Sequence, residues 1–286
     1  MSMRLGLFQC SSYVELTLHE LKCLWFNSPR TLLRNLAFGA CIVVQTIDFT
    51  TMTMKTVAII PAGGSGKRMQ GTLSKQYLLL NGIPVLVHTL RIFQKSPKID
   101  EIFLIVPEND IEYARQHIVE KYGITKVSRI LEGGRERQDS VRNGINALGR
   151  DDDIVVIHDG VRPFVTEEIV QAAFLEASRG KAVTVGVPVK DTVKSVDGQG
   201  WVTETPDRKS LWLIQTPQAF TRDVIKKAYE DAYRENYYGT DDASLVERTG
   251  VNVKVIHGSY DNIKITTKDD IVLAEILMKR LKKGLK

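Results

Sequence analysis

From residue 56 onward, short apolar runs alternate with segments whose apolar residues recur every three or four positions. The run 56–60, Thr-Val-Ala-Ile-Ile, is apolar almost without a break and reads as a strand covered on both faces, as in a parallel sheet. Residues 85–94 set Leu86, Leu90 and Phe93 at helical spacing. Strands are expected at 101–106, 126–131, 153–158 and 182–187, separated by helices at 111–121, 139–148 and 166–178. The helix at 139–148 turns Val141, Ile145 and Leu148 inward, and the next begins at Thr166, a capping side chain. This alternation predicts an α/β fold with a mostly parallel sheet and helices on both faces. Its crossovers should be right-handed, and ligands should sit beyond the carboxyl ends of the strands.

The alternation breaks at Pro188. Residues 189–196 and 201–205 flank Asp197-Gly198-Gln199-Gly200 and read as a hairpin protruding from the sheet. A lone hairpin is marginal in water, so this arm, about 188–210, should pack on something, most simply a second copy of the chain. The fold resumes at Leu211, with a helix over 221–235, a strand over 254–257 and a last helix over 268–282. Gly239-Thr240-Asp241-Asp242-Ala243-Ser244 looks like a capped helix start.

Residues 1–53 have no clear period and carry all three cysteines, Cys10, Cys23 and Cys41. Their longest apolar run, 36–44, is too short to cross a bilayer, and acidic residues interrupt a signal-peptide reading. Met54 precedes the first strand, so the domain is expected to be 54–286. The first 53 residues then read as a disordered extension or a mis-assigned start, with a targeting or regulatory extension as the alternative. The rest of the chain offers no disulfide framework, thiolate metal site or cysteine nucleophile, which fits a cytoplasmic protein. The composition, 43% apolar and 26% charged, is that of a soluble globular protein. A net charge of +5 suits anionic small molecules and falls short of the basic stripe of a nucleic-acid binder.

Candidate chemistry gathers at strand ends. Pro61-Ala62-Gly63-Gly64-Ser65-Gly66-Lys67-Arg68-Met69 follows the first strand, and Ser74-Lys75-Gln76-Tyr77 comes soon after. Three glycines in four positions let the backbone approach a ligand and aim N–H groups at it, and Arg68 and Lys75 add two cations. This suits phosphate, although the glycines alone would also make an ordinary turn. Gly66-Lys67 is followed by Arg68 where a Walker A loop needs Ser or Thr, and the second half of a dinucleotide fingerprint is missing. Asp159, in His158-Asp159-Gly160-Val161-Arg162-Pro163, is placed to hold a divalent cation on phosphates or to cap a turn. His158 reads as structural. Gly133-Gly134-Arg135-Glu136-Arg137-Gln138-Asp139-Ser140 offers a tight turn that could read a base through main-chain groups, with the Ser140 hydroxyl added, or a plain helix cap. Asp207-Arg208 and Asp261-Asn262-Ile263-Lys264 each supply a cation that could equally be a surface charge. No Ser-His-Asp set or acid–base carboxylate pair is evident, so the chemistry suggested is electrostatic.

Taken in order, PAGGSGKRM, SKQYL, GGRERQDSV, HDGVRPF, PVKDTVK, TPQAF, GTDDASLVE and DNIKITT resemble the methylerythritol-phosphate cytidylyltransferases of non-mevalonate isoprenoid synthesis. The resemblance runs from about Met54 to the end. It implies a Rossmann-like nucleotidyltransferase fold and a homodimer joined by the arm. It further implies transfer of CMP from CTP to 2-C-methyl-D-erythritol 4-phosphate, with Mg²⁺. By resemblance Arg68 and Lys75 stabilise the transition state, and Ala62, Gly63, Gly64 and Gly66 hold the triphosphate. Gly134 and Ser140 read cytosine, and Asp159 and Arg162 lie near the metal and substrate, with Asp159 as the metal ligand. Thr192 and Arg208 of the arm, with Lys264, hold the sugar phosphate. Arg135 departs from the Asp that many members carry, and Gly160-Val161 replaces a pair of alanines found in some. A ribitol-5-phosphate cytidylyltransferase and a non-catalytic nucleotide sensor on the same fold are the alternatives.

Overall fold

The computed structural model describes residues 3–5, 14–16, 54–63, 74–282 and 284. The chain divides into two units, Met1–Thr53 and Met54–Lys286. In the first, Met3–Leu5 pairs antiparallel with Val14–Leu16. The three cysteines and the apolar run 36–44 lie outside the described residues, as do Gly64, Gly66 and Arg68 of the glycine loop.

The second unit is built on seven strands: β1 (Lys55–Pro61), β2 (Glu101–Val106), β3 (Val127–Glu132), β4 (Asp152–Ile157), β5 (Ala182–Pro188), β6 (Trp212–Thr221) and β7 (Val253–His257). Their order across the sheet is β7-β5-β6-β4-β1-β2-β3. Every neighbouring pair is parallel except those made by β6, which runs antiparallel to both β4 and β5. The helices are α1 (Val85–Lys95), α2 (Ile111–Ala114), α3 (Arg137–Asn146), α4 (Glu167–Ser178), α5 (Arg222–Arg234), α6 (Asp242–Arg248) and α7 (Lys268–Lys282). The expected α/β class is observed, with a mainly parallel sheet between helical layers.

Side chains of β1 alternate between two cores, as the period of a strand requires. Ala58 and Ile60 pack with Leu86, Leu90 and Phe93 of α1 and with Val170 and Ala173 of α4. Val57 and Ile59 pack on the other face with Val141 and Ile145 of α3 and with Ile225 of α5. Each such fully buried Val or Ile stabilises the fold by about 1.5–3 kcal/mol. A smaller cluster joins Leu80, Val85 and Phe164 to Ala274 and Leu277 of α7. Among the described residues no helix is long and apolar enough to cross a membrane.

Three segments differ from the sequence expectation. The helix expected over 111–121 is α-helical only through α2 and then widens over Arg115–Glu120, where Lys121 N donates to Gln116 O. The hairpin pairs only Ser195–Val196 with Val202–Glu204, and these five residues are exposed. Finally, 212–221 is a ten-residue strand inside the sheet although it contains Pro217. A central strand rarely accepts proline, because it cannot donate to the ladder. The pairing with β5 slips between Gln215 and Gln218, so Pro217 falls where no ladder donor is needed.

Candidate active site

The carboxyl ends of β1, β2, β3 and β4 meet at one edge. Ala62, buried, continues β1 and donates its N–H to Ile105 O at 2.7 Å. Gly133 continues β3 and donates to Val106 O at 2.7 Å. The next residues turn into α3 through a reciprocal cap: the Glu136 side chain accepts from the backbone of Asp139, and Glu136 N donates to the Asp139 carboxylate at 3.0 Å. Gly134 N donates to Ser140 Oγ at 3.1 Å, and that hydroxyl donates to Glu136 O. A Cβ on Gly134 would overlap Asp139 Cβ, so the turn requires glycine here. A Cβ on Gly63 would stand 3.6 Å from Ser140 Oγ, which puts the start of the glycine loop against this turn. Arg135 is exposed.

Lys75 opens the short turn Lys75–Tyr77, and Tyr77 anchors it in the same core cluster as Ala62 and Leu86. Gly160 N donates to Pro61 O at 3.0 Å, and a Cβ on Gly160 would come within 3.0 Å of Ala62 Cβ. The HDGVRP segment therefore lies directly against the root of the glycine loop.

Asp159, at the end of β4, is buried among three cations. Arg137 Nε donates to its Oδ1 at 2.9 Å, while Lys264 Nζ at 3.0 Å and Arg162 Nε at 3.2 Å share Oδ2. Burial pushes the Asp159 carboxyl up, but Arg137, Lys264 and Arg162 outweigh it and hold the pKa well below the usual range. Arg162 Nη1 also donates to Asn262 O at 2.8 Å, tying the HDGVRP segment to the DNIKITT segment.

His158 is fully buried, and its hydrogen bonds fix its tautomer. Nε2 faces Arg162 O at 3.2 Å; a carbonyl can only accept, so Nε2 carries the proton. Nδ1 therefore accepts from Thr216 Oγ1 at 3.0 Å, and Thr216 Oγ1 in turn accepts from Asp159 N at 3.1 Å. The imidazole thus positions Asp159 from behind. Burial lowers the His158 pKa from 6.5 to about 4. Between those values the unfolded chain binds a proton that the folded chain refuses, so stability falls as pH falls through that window. The expected loss is about 3 kcal/mol from pH 7 to pH 4. Urea unfolding across that range should show a shallower decline for His158→Asn than for the parent; equal slopes would discount this linkage.

Arg137 is the principal member of the site that the sequence reading did not single out. It also reaches Asp242, at the start of α6, with Nη1 at 3.0 Å and Nη2 at 2.8 Å. Asp242 is buried and accepts from Tyr229 Oη of α5 at 2.5 Å. Both residues sit inside quoted motifs, GGRERQDSV and GTDDASLVE, but 105 positions separate them. A buried acid at a helix start looks like a cap from sequence; here the cap is Asp241, whose carboxylate accepts from Ser244 N.

The structure thus brings together Ala62, Gly63, Gly134, Ser140, Asp159, Arg162 and Lys264, with Lys75 held from the same core. Thr192 and Arg208 are instead exposed on the two limbs of the hairpin, where Arg208 Nη1 donates to Lys190 O at 2.7 Å. Among the described residues no group of three or more His, Cys, Asp or Glu could hold a metal ion. Both oxygens of Asp159 are already paired with cations, so the side chains described do not form a ligand set for a divalent ion.

Residues 56–280 match the family model of 2-C-methyl-D-erythritol 4-phosphate cytidylyltransferase. The chain is 56% identical over 229 residues to the enzyme of that name from Syntrophus aciditrophicus, covering 80% of this chain and 98% of the relative. It is 49% identical over 228 residues to the one from Geotalea uraniireducens, covering 79% and 97%. Among solved structures it resembles the 4-diphosphocytidyl-2C-methyl-D-erythritol synthase of Anaerococcus prevotii, with a TM-score of 0.71 and 38% identity over 80% of this chain and 97% of that one. The glycine turn, the cation cluster at the strand ends and these matches agree: the chain belongs to the 2-C-methyl-D-erythritol 4-phosphate cytidylyltransferase family.

Proposed function

We propose that this chain transfers the cytidylyl group of CTP to 2-C-methyl-D-erythritol 4-phosphate. A phosphate oxygen of the polyol attacks the α-phosphorus. The bond from that phosphorus to the β-phosphate bridging oxygen breaks, and its electron pair leaves with pyrophosphate. A phosphate monoester is mostly dianionic at neutral pH, its second pKa being about 6, so the attack needs no general base. It needs relief from repulsion between two anions, which fixed cations supply without reorganising during the reaction.

The observation that carries the reading is the set of cations around Asp159, beside the root of the glycine loop. Lys264 is the member whose side chain is most open to solvent, at 36%. It is assigned to the polyol phosphate, with Arg162 behind it. The backbone at Gly134, shaped by Ser140, is assigned to cytosine. Arg68 and Lys75 are assigned to the α-phosphorus, and the glycine loop to the triphosphate. Mg²⁺ is expected to accompany the nucleotide on its phosphate oxygens; contact with Asp159 would require one of that residue's ion pairs to open. In a homodimer, Thr192 and Arg208 would be lent to the partner's site.

The test is pyrophosphate release with CTP and either methylerythritol phosphate or ribitol 5-phosphate. Methylerythritol phosphate should give the higher kcat/KM. A higher value for ribitol phosphate would reassign the acceptor, and no release with either would support a sensor. Arg208→Ala should raise KM for the polyol phosphate and spare KM for CTP, the mark of a lost ground-state contact. Weakened CTP binding would move the hairpin to the other half of the site.

A further inference from the structure

We infer that Arg137 is a positioning residue, which sets the Asp159 carboxylate and, through it, aims Lys264 and Arg162 at the anionic acceptor. The inference rests on the proposed placement of the acceptor phosphate at Lys264.

Arg137 is the first residue of α3, and its guanidinium uses three of its nitrogens on two carboxylates. Nη1 and Nη2 form a two-pronged pair with Asp242, and Nε is left for Asp159 Oδ1. The guanidinium is planar and rigid, so fixing one edge fixes the direction of the other. That edge is fixed firmly, because Asp242 is itself buried and held by Tyr229 Oη.

Asp159 is the recipient of this order. With Oδ1 held by Arg137, its Oδ2 is turned to the side where both Lys264 Nζ and Arg162 Nε donate. Without that hold, Oδ1 loses its partner and the carboxylate is restrained only through Oδ2, so a flexible lysine such as Lys264 would lose a partner of fixed direction. Buried ion pairs are an expensive way to stabilise a fold, and well-packed apolar residues often do as well. A chain of two acids and three cations at the ligand edge is better explained by the direction it imposes. The charge count agrees: three cations against two carboxylates leave one surplus positive charge, and Lys264 is the cation whose side chain is most exposed to an incoming anion.

The test is a double-mutant cycle on the full chain, with KM for methylerythritol phosphate and for CTP read separately. Arg137→Met should raise KM for the polyol phosphate by roughly tenfold, the order expected within one charge network, and leave KM for CTP within about twofold. In a Lys264→Ala background the same substitution should change KM by less than about twofold, because the side chain through which it acts is gone. Arg137→Lys, which keeps the charge and loses the fork, should not restore the parent KM. Equal fold-changes in both backgrounds, or matched losses for both substrates, would overturn the inference and leave Arg137 a structural residue. If Arg137→Met does not fold, Asp242→Asn releases the same clamp and is read in the same cycle. Failure of the parent chain to turn over methylerythritol phosphate would instead count against the functional reading.

Discussion

Lys75→Ala, and separately Arg68→Ala, should lower kcat by about 10²–10³ with a much smaller change in CTP affinity. The reason lies in when charge develops. On the proposed reading, the glycine loop already holds the triphosphate in the ground state. As a second anion approaches the α-phosphorus, negative charge concentrates on its equatorial oxygens, and only cations aimed at that point respond. The backbone that carries Lys75 is anchored, since Tyr77, two residues on, is buried in the core cluster that includes Ala62. Single-turnover measurement at saturating CTP isolates the effect. Either variant turning over near the parent rate would remove that residue from the transition state, while a raised KM with unchanged kcat would make it a binding group.

On the proposed homodimer reading, deleting the hairpin should give a monomer that folds normally and turns over poorly. Val196, Trp201 and Val202 on it are exposed, as are Leu213 and Ile214 at the foot of β6. These exposed apolar side chains, on an element outside the core, are the ground for expecting association there. The hairpin residues belong to none of the core clusters, so their removal costs the domain little. The ends are close enough to join, since Val189 N donates to Leu211 O at 3.0 Å. Light scattering with activity on the same sample decides the matter. A monomer as active as the parent would sink both the dimer and the shared site.

Most of the sheet was legible in the sequence because continuous Ile and Val runs have few other uses. The strands at β1, β2, β4 and β5 fall within a residue or two of expectation. β6 was hidden for a physical reason: Gln215, Thr216, Pro217 and Gln218 interrupt the apolar pattern, yet all four are buried in the sheet, where the three polar ones hydrogen-bond to distant partners. The site divides in the same way. Gly134 and Asp159 announce themselves locally, through a tight turn and a strand end. The Arg137–Asp242 clamp exists only after α3 and α6 come together, and nothing in either motif alone specifies the pairing.

The hairpin also provides an optical handle. Of the three tryptophans, Trp201 is 71% exposed on the hairpin, and Trp212 packs edge-on to His257 with ring centroids 4.8 Å apart. Indole emission moves to shorter wavelength as water leaves the ring. In a Trp25→Phe background, dilution would therefore test the proposed dimer through Trp201 without any label: a red shift is expected if the hairpin packs on a second copy, and none if it does not. The midpoint of that red shift gives the dissociation constant at concentrations too low for scattering.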